Sequence, residues 1–160
     1  MDVERKGKFG SRLTNLFCNG VFPRGVSFFS ATFTNSGNFS GARFFHDAAF
    51  SGTTFLSDAD FSGAQYFGKA DFFWSFFDGN ADFCGAVFRK QVRFPFTWFF
   101  TKLYFCDAVF IDGADFRDTY FLGKIHFGNA KFYKGADFTN AILPVPRFIP
   151  PEPMMFKHSE

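Results

Sequence analysis

All three cysteines of the chain, Cys18, Cys84 and Cys106, fall on one period of 22 residues. Any fold that sets residues 22 apart side by side would bring Cys84 and Cys106 within reach of a disulfide. The rest of that column is Ser40, Ser62 and Gly128, so it reads better as a corner that accepts only small side chains. Carboxylates recur on the same period. One column is Asn38, Asp60, Asp82, Tyr104, His126, and another is Ala49, Asp71, Arg93, Asp115, Asp137. Carboxylates one strand apart, about 4.8 Å, could act as paired acids or hold a metal. Yet Arg93 falls between Asp71 and Asp115, and Lys90, Asp112 and Lys134 alternate, which is the order of a charge ladder. His46, His126 and His158 have no Ser or Cys at a recurring offset, and there is no glycine-rich phosphate loop, HExxH or nucleophile elbow. The chain therefore reads as a non-enzyme, with no cofactor, no metal and no small-molecule substrate.

What sets these columns is a repeat of rings. From Phe17 the series Phe17, Phe22, Phe28, Phe33, Phe39, Phe44, Phe50, Phe55, Phe61 advances by alternating gaps of five and six. It continues in phase through Tyr66 and Phe72 to Phe138 and Leu143, with Phe in nearly every slot. A small residue stands two places before most rings: Ala31, Gly37, Ala42, Ala48, Thr53, Ala59, Ala64, Ala70, Ser75, Ala81, Ala86, and later Ala108, Ala114, Ala130, Ala136 and Ala141. Residues two apart on an extended chain point the same way, so ring and small residue face inward together. A helix with an 11-residue repeat is the competing form. Gly, Asn, Asp, Ser and Thr between nearly every pair of rings exclude it, being turn residues of poor helix propensity.

The segments ADFSGA (59–64), ADFCGA (81–86), GADFRD (113–118) and GADFTNA (135–141) resemble the repeat unit of pentapeptide-repeat proteins, with Phe in the central slot. The resemblance spans residues 15–143. It implies an all-β fold, a right-handed quadrilateral β-helix (β-solenoid) with one unit per side and about six coils of 22 residues. Every second unit departs from the family pattern by a sixth residue, in SDA (57–59), GKA (68–70), DGN (78–80), DGA (112–114) and GKI (123–125), where Gly, Asp and Asn can absorb a bulge. Residues 1–14 are expected to cap the first coil. Residues 144–160, with five of the seven prolines, cannot continue the ladder. They are expected to be extended, either folding over the last coil with Phe148 or Met154 or disordered at the end.

Once the repeat has claimed its own rings, an excess remains. Phe76, Trp98 and Tyr120 form an outward column between Thr54 and Ile142, and Trp74 and Phe96 form a second outward pair. Phe73 stacks beneath Pro95, Phe100 lies beside Leu122, and Tyr104 takes a place where Asp is usual. A contiguous outward patch of rings marks a contact surface, and Trp and Tyr are typical anchors. Phe73, Trp74, Phe76, Phe96, Trp98, Phe100 and Tyr120 are the candidate binding residues. Alternatively the tail or an N-terminal segment covers this side, or some of these rings are internal.

The expected function is that of a protein-interaction or scaffolding module, self-associating or binding a protein partner. The resemblance implies an alternative, since members of quinolone-resistance type mimic B-form DNA and bind type II topoisomerases. Such mimicry needs a continuous acidic surface. Here Arg93, Tyr104 and His126 interrupt the Asp columns, and the net charge is +2. An ice-binding array of Thr breaks off after Thr32 and Thr54. Nucleic-acid binding is not expected, because the sequence shows no clustered Lys and Arg. The N-terminal stretch lacks a secretory apolar core, and no apolar run of about 18 residues occurs, so a reduced, cytoplasmic chain without a membrane span is expected.

Overall fold

An inward ring at every fifth or sixth residue, each bounded by turn residues, forces the chain to change direction after every pair of ladder residues. A computed structural model describes residues 15–144 throughout, together with the backbone of Val3–Glu4 and Lys8–Phe9. Each strand is two residues long, and strands pair in parallel with their counterparts one coil away, as Ala59 with Ala81 and Gln65 with Val87. The sequence offset of every such pair within residues 15–144 is the expected 22.

The strands make four sheets of seven, six, five and six strands, taken in the order the chain visits them. Within one coil the first sheet holds Ala48–Ala49, the second Thr54–Phe55, the third Ala59–Asp60 and the fourth Gln65–Tyr66. The first thus stands opposite the third, and the second opposite the fourth. No helix occurs among the described residues. Val3–Glu4 pairs with Val26–Ser27 and Lys8–Phe9 with Thr32–Phe33, extending the first and second sheets by one strand each. Phe148 and Met154 lie outside the described residues, so the expected course of the tail does too.

Inside, the rings form four ladders. Phe61 stacks on Phe83 at 4.9 Å and 3°, and Phe94 on Phe116 at 5.0 Å and 2°. These separations are those of the strands, so the backbone repeat dictates the ring repeat. The ladders that follow the first and third sheets meet edge to face across the core, as Phe50 on Phe61 (5.3 Å, 87°) and Phe72 on Phe83 (5.5 Å, 87°). Edge-to-face contact sets the positive rim of one ring on the negative face of the next. The alanines two places ahead, Ala42, Ala64, Ala86 and Ala108, are fully buried and leave room for this packing. Tyr66 fills one ring slot between Phe44 (4.7 Å) and Phe88 (4.8 Å). It is completely buried, its hydroxyl has no hydrogen-bond partner, and burial drives its pKa well above the ordinary tyrosine value.

Two kinds of corner alternate. After the first and third sheets the chain makes a four-residue turn closed by a backbone bond, such as Thr97 N–H to the Phe94 carbonyl (3.0 Å). After the second and fourth sheets comes the six-residue unit, and its extra residue lies in an open bend as expected. There Asp and Asn side chains stitch coil to coil: Asp58 accepts from the Asn80 amide (2.8 Å) and Asp47 from that of Lys69 (2.8 Å). Backbones also approach closely at these bends. A Cβ at Gly79 would lie 2.3 Å from the carbonyl carbon of Ser57.

Candidate functional site

The carboxylate columns are structural. Each Asp or Asn accepts from the backbone amide two residues on: Asp60 from Ser62, Asp82 from Cys84, Asp71 from Phe73 and Asp137 from Thr139. These bonds cap the four-residue turn, since Asx side chains readily take up amides two residues along. The charge ladder is only partly as expected. Arg93 pairs with Asp71 (3.2 Å), but Asp115 belongs to Arg117, which grips it with two bonds of 2.9 and 2.8 Å and reaches toward Asp137 at 3.8 Å. The reason is local. Arg117 follows its partner by two residues around the same turn, nearer than a residue one coil away, and Asp115 pushes the Arg117 pKa still higher. Lys134 pairs with Asp112 and holds that carboxyl below its ordinary value.

All three cysteines are free thiols in the small-residue corner. Burial, followed by the Asp82 carboxylate, pushes the Cys84 thiol up to about 12. The described residues contain no group of three His, Cys, Asp or Glu that could hold a metal ion.

The candidate rings lie along the second sheet and the two corners beside it. Phe76, Trp98 and Tyr120 pair in register on its outer side, half-buried by one another. Trp98 stacks on Tyr120 at 4.0 Å and 9°, and on Phe76 at 6.4 Å and 16°. Phe100, exposed at the far corner, stacks on Trp98 at 5.8 Å. At the near corner Trp74 leans on Phe76 (6.4 Å), and Phe73 meets Phe96 edge to face (5.8 Å) beneath the Arg93 guanidinium, which stands 5.9 Å from the Phe73 ring. All seven rings are therefore brought together, and none is internal. Tyr104 is separate, on the third sheet, stacked on His126 at 4.9 Å.

The backbone at the near corner is unusual. The third residue of every four-residue turn has positive φ, and the column reads Asn19, Ser30, Gly41, Gly52, Gly63, Trp74, Gly85, Phe96, Asp107, Asp118, Asn129, Asn140. Gly, Asn and Asp suit that conformation, and bulky side chains do not. Trp74 (φ 54°) and Phe96 (φ 56°) adopt it nevertheless, with 58% and 43% of their surfaces exposed. Such strain persists where the surroundings over-determine it. Here they do so through buried hydroxyls. After four of the near-corner positions, Gly52, Trp74, Phe96 and Asp118, the next residue donates to a carbonyl of the neighbouring coil: Thr53 to Phe28 (2.9 Å), Ser75 to Phe50 (2.7 Å), Thr97 to Phe72 (2.6 Å) and Thr119 to Phe94 (2.8 Å). The opposite corner has Ala42, Ala64, Ala86 and Ala108 in the equivalent places and no such bonds.

Pro95 presets the turn of Phe96. Its fixed φ suits the second place of a turn whose third residue has positive φ. Having no N–H, it also needs no carboxylate two residues earlier, which leaves that place to Arg93. Sequence reading missed this conformational column. Its signal was present, as an 11-residue period of Gly, Asn, Asp and Ser interrupted by Trp74 and Phe96.

No protein-family model and no curated protein matches the chain. Among solved structures it is similar to QnrB1, described as a plasmid-mediated fluoroquinolone resistance protein and studied in a trypsin-treated form. That likeness has 16% identity over 90% of this chain and 83% of the other, with a TM-score of 0.25, too low to carry an argument about function.

Proposed function

We propose that this solenoid is a non-enzymatic protein-interaction or scaffolding module, and that the aromatic side is its contact surface, either between copies of the chain or with a protein partner. One observation supports this above the rest. Trp74 and Phe96 hold exposed rings in a backbone conformation that disfavours them, beside the stack of Phe76, Trp98 and Tyr120. The fold needs none of these rings, because Gly52 and Thr54 fill the equivalent places one coil away with the same backbone. Apolar rings clustered without a core function are the usual composition of an interface centre.

Light scattering on the full chain tests the reading. Wild type should run as an oligomer, and Trp98→Asp with Phe76→Asp should reduce it to the monomer mass without unfolding it. A wild type that is already monomeric would sink the self-association form. The protein-partner form then requires a complex that the same double variant abolishes.

Mimicry of a DNA duplex toward a topoisomerase is the weaker reading. The Asp carboxylates are taken up by turn amides, and Arg93, Tyr104 and His126 interrupt their columns. A gyrase supercoiling assay should show neither inhibition nor protection from a fluoroquinolone at micromolar protein.

A further inference from the structure

Coiling sorts the charges in a way the linear sequence conceals. The fourth sheet and the bends that follow it carry Arg43 and Lys131 on strands, and Arg24, Lys69, Arg89, Lys90 and Lys134 in the bends, against Asp47 and Asp112 alone. All of these cations are exposed. Elsewhere in residues 15–144 the balance reverses, with Arg93, Lys102, Arg117 and Lys124 set among nine Asp. The expectation that Lys and Arg are not clustered is thus corrected. Arg43 and Lys131, far apart in sequence, stand on strands of the same sheet, and the bends beside it gather the others.

The same side is also apolar. Val21 is 57% exposed and Tyr133 69%, with Phe45 and Ile111 exposed between them along the rod. Phe45 and Phe67 stack at 4.9 Å, and guanidiniums close the stack, Arg43 at 5.1 Å from one ring and Arg89 at 4.8 Å from the other. From Val21 to Lys131 the sheet runs six strands, about 24 Å at the parallel-strand spacing. Along this length cations and exposed apolar side chains are interspersed.

We propose that this side rests on an anionic phospholipid surface, with the Arg and Lys heads on the lipid phosphates and Phe45, Ile111 and Tyr133 at headgroup depth. Cations beside exposed apolar groups are the combination that holds a protein at such an interface, the cations drawing on the negative surface potential. A nucleic-acid strand fits less well. Strand binding uses open ring faces for bases, and here Arg43, Arg89 and the rings themselves already cover the faces of Phe45 and Phe67. Val21 and Ile111 would have no partner on a strand. The contact needs no membrane-spanning segment, and no helix among the described residues is long and apolar enough to be one. Because the fourth sheet stands opposite the second, a chain lying this way presents its aromatic side to the solution.

Co-sedimentation of the full chain with vesicles tests the proposal. Vesicles of phosphatidylcholine with phosphatidylserine should bind it, and phosphatidylcholine alone should not. Each cation lost should weaken binding about fivefold, so Arg43→Gln with Arg89→Gln and Lys131→Gln should weaken it about a hundredfold. These side chains are exposed, so the thermal midpoint should not move. Lys102→Gln with Lys124→Gln, away from this side, should bind like wild type. Absence of binding, equal binding to both vesicles, or a triple variant that binds normally would each overturn the proposal. So would tighter binding to a single-stranded oligonucleotide at the same salt, which would assign the surface to nucleic acid.

Discussion

Trp98 and Tyr120 stack at 4.0 Å and 9° on the outer side of the sheet that carries Phe99 stacked on Phe121 at 5.6 Å and 5° on its inner side. One pair of two-residue strands therefore builds an element of core and an element of surface at once. The inner stack belongs to a ladder that repeats along the rod, and the outer one is confined to a few coils. The inner pair is demanded by the fold, and the outer pair is additional to it.

That distinction predicts opposite responses to substitution. Phe94→Ala removes a fully buried ring and should cost about 3–5 kcal/mol. Phe96→Gly, two residues on, relieves a left-handed backbone worth about 1–2 kcal/mol while adding the chain entropy of glycine, about 0.5–1 kcal/mol. Its stability should stay level or rise by up to about 1.5 kcal/mol. Urea denaturation distinguishes them, and a large loss on Phe96→Gly would show that the exposed ring serves the fold.

Tyr66→Phe should stabilise the protein. The hydroxyl is buried without a partner in a slot that Phe fills on the coils to either side, so its removal relieves a desolvation cost of about 1–2 kcal/mol. The thermal midpoint is the measurement, and a decrease would mean that the hydroxyl is satisfied in solution.

Thr97→Val keeps the shape and deletes the bond to the Phe72 carbonyl. That carbonyl still accepts from the Ser75 amide (3.2 Å), so no buried acceptor is orphaned and the cost should be about 0.5–1.5 kcal/mol. Ala86→Ser, at the opposite corner, should bring no comparable gain. Equal effects at both corners would remove the link between the hydroxyls and the strained turns.

Cys84 should be a poor nucleophile. Its thiol, raised from 9.0 to about 12 chiefly by burial and then by Asp82, stays protonated at neutral pH, so alkylation should be much slower than for a free cysteine and no disulfide to Cys106 should form in air. The folded protein keeps a proton that the unfolded thiol releases. Stability from this group is therefore complete below 9.0 and declines as pH rises toward about 12. Asp82→Asn should lower the thiol pKa and speed labelling; an unchanged rate would exclude the carboxylate as a cause.

The architecture was legible before folding was considered. The unbroken alternation of five and six residues between rings admits one inward slot, residues two apart must share a side, and the four-sided coil with its 22-residue register, which the resemblance of the repeat implied, then left the seven outward rings legible. The capping duty of the Asp columns was legible in outline, because Asp in that place recurs with the repeat. The remainder depends on the stacking of coils. The intrinsic preference of Trp and Phe argues against positive φ, so the conformation of Trp74 and Phe96 depends on coils above and below that impose it. The hydroxyl bonds from Ser75 and Thr97 join residues 25 apart and exist only after stacking. Arg117 displaced Arg93 as the partner of Asp115 because distance around a turn, not order in a column, sets the ion pair. The basic side arose in the same way, since coiling brings onto one side charges that the chain keeps far apart.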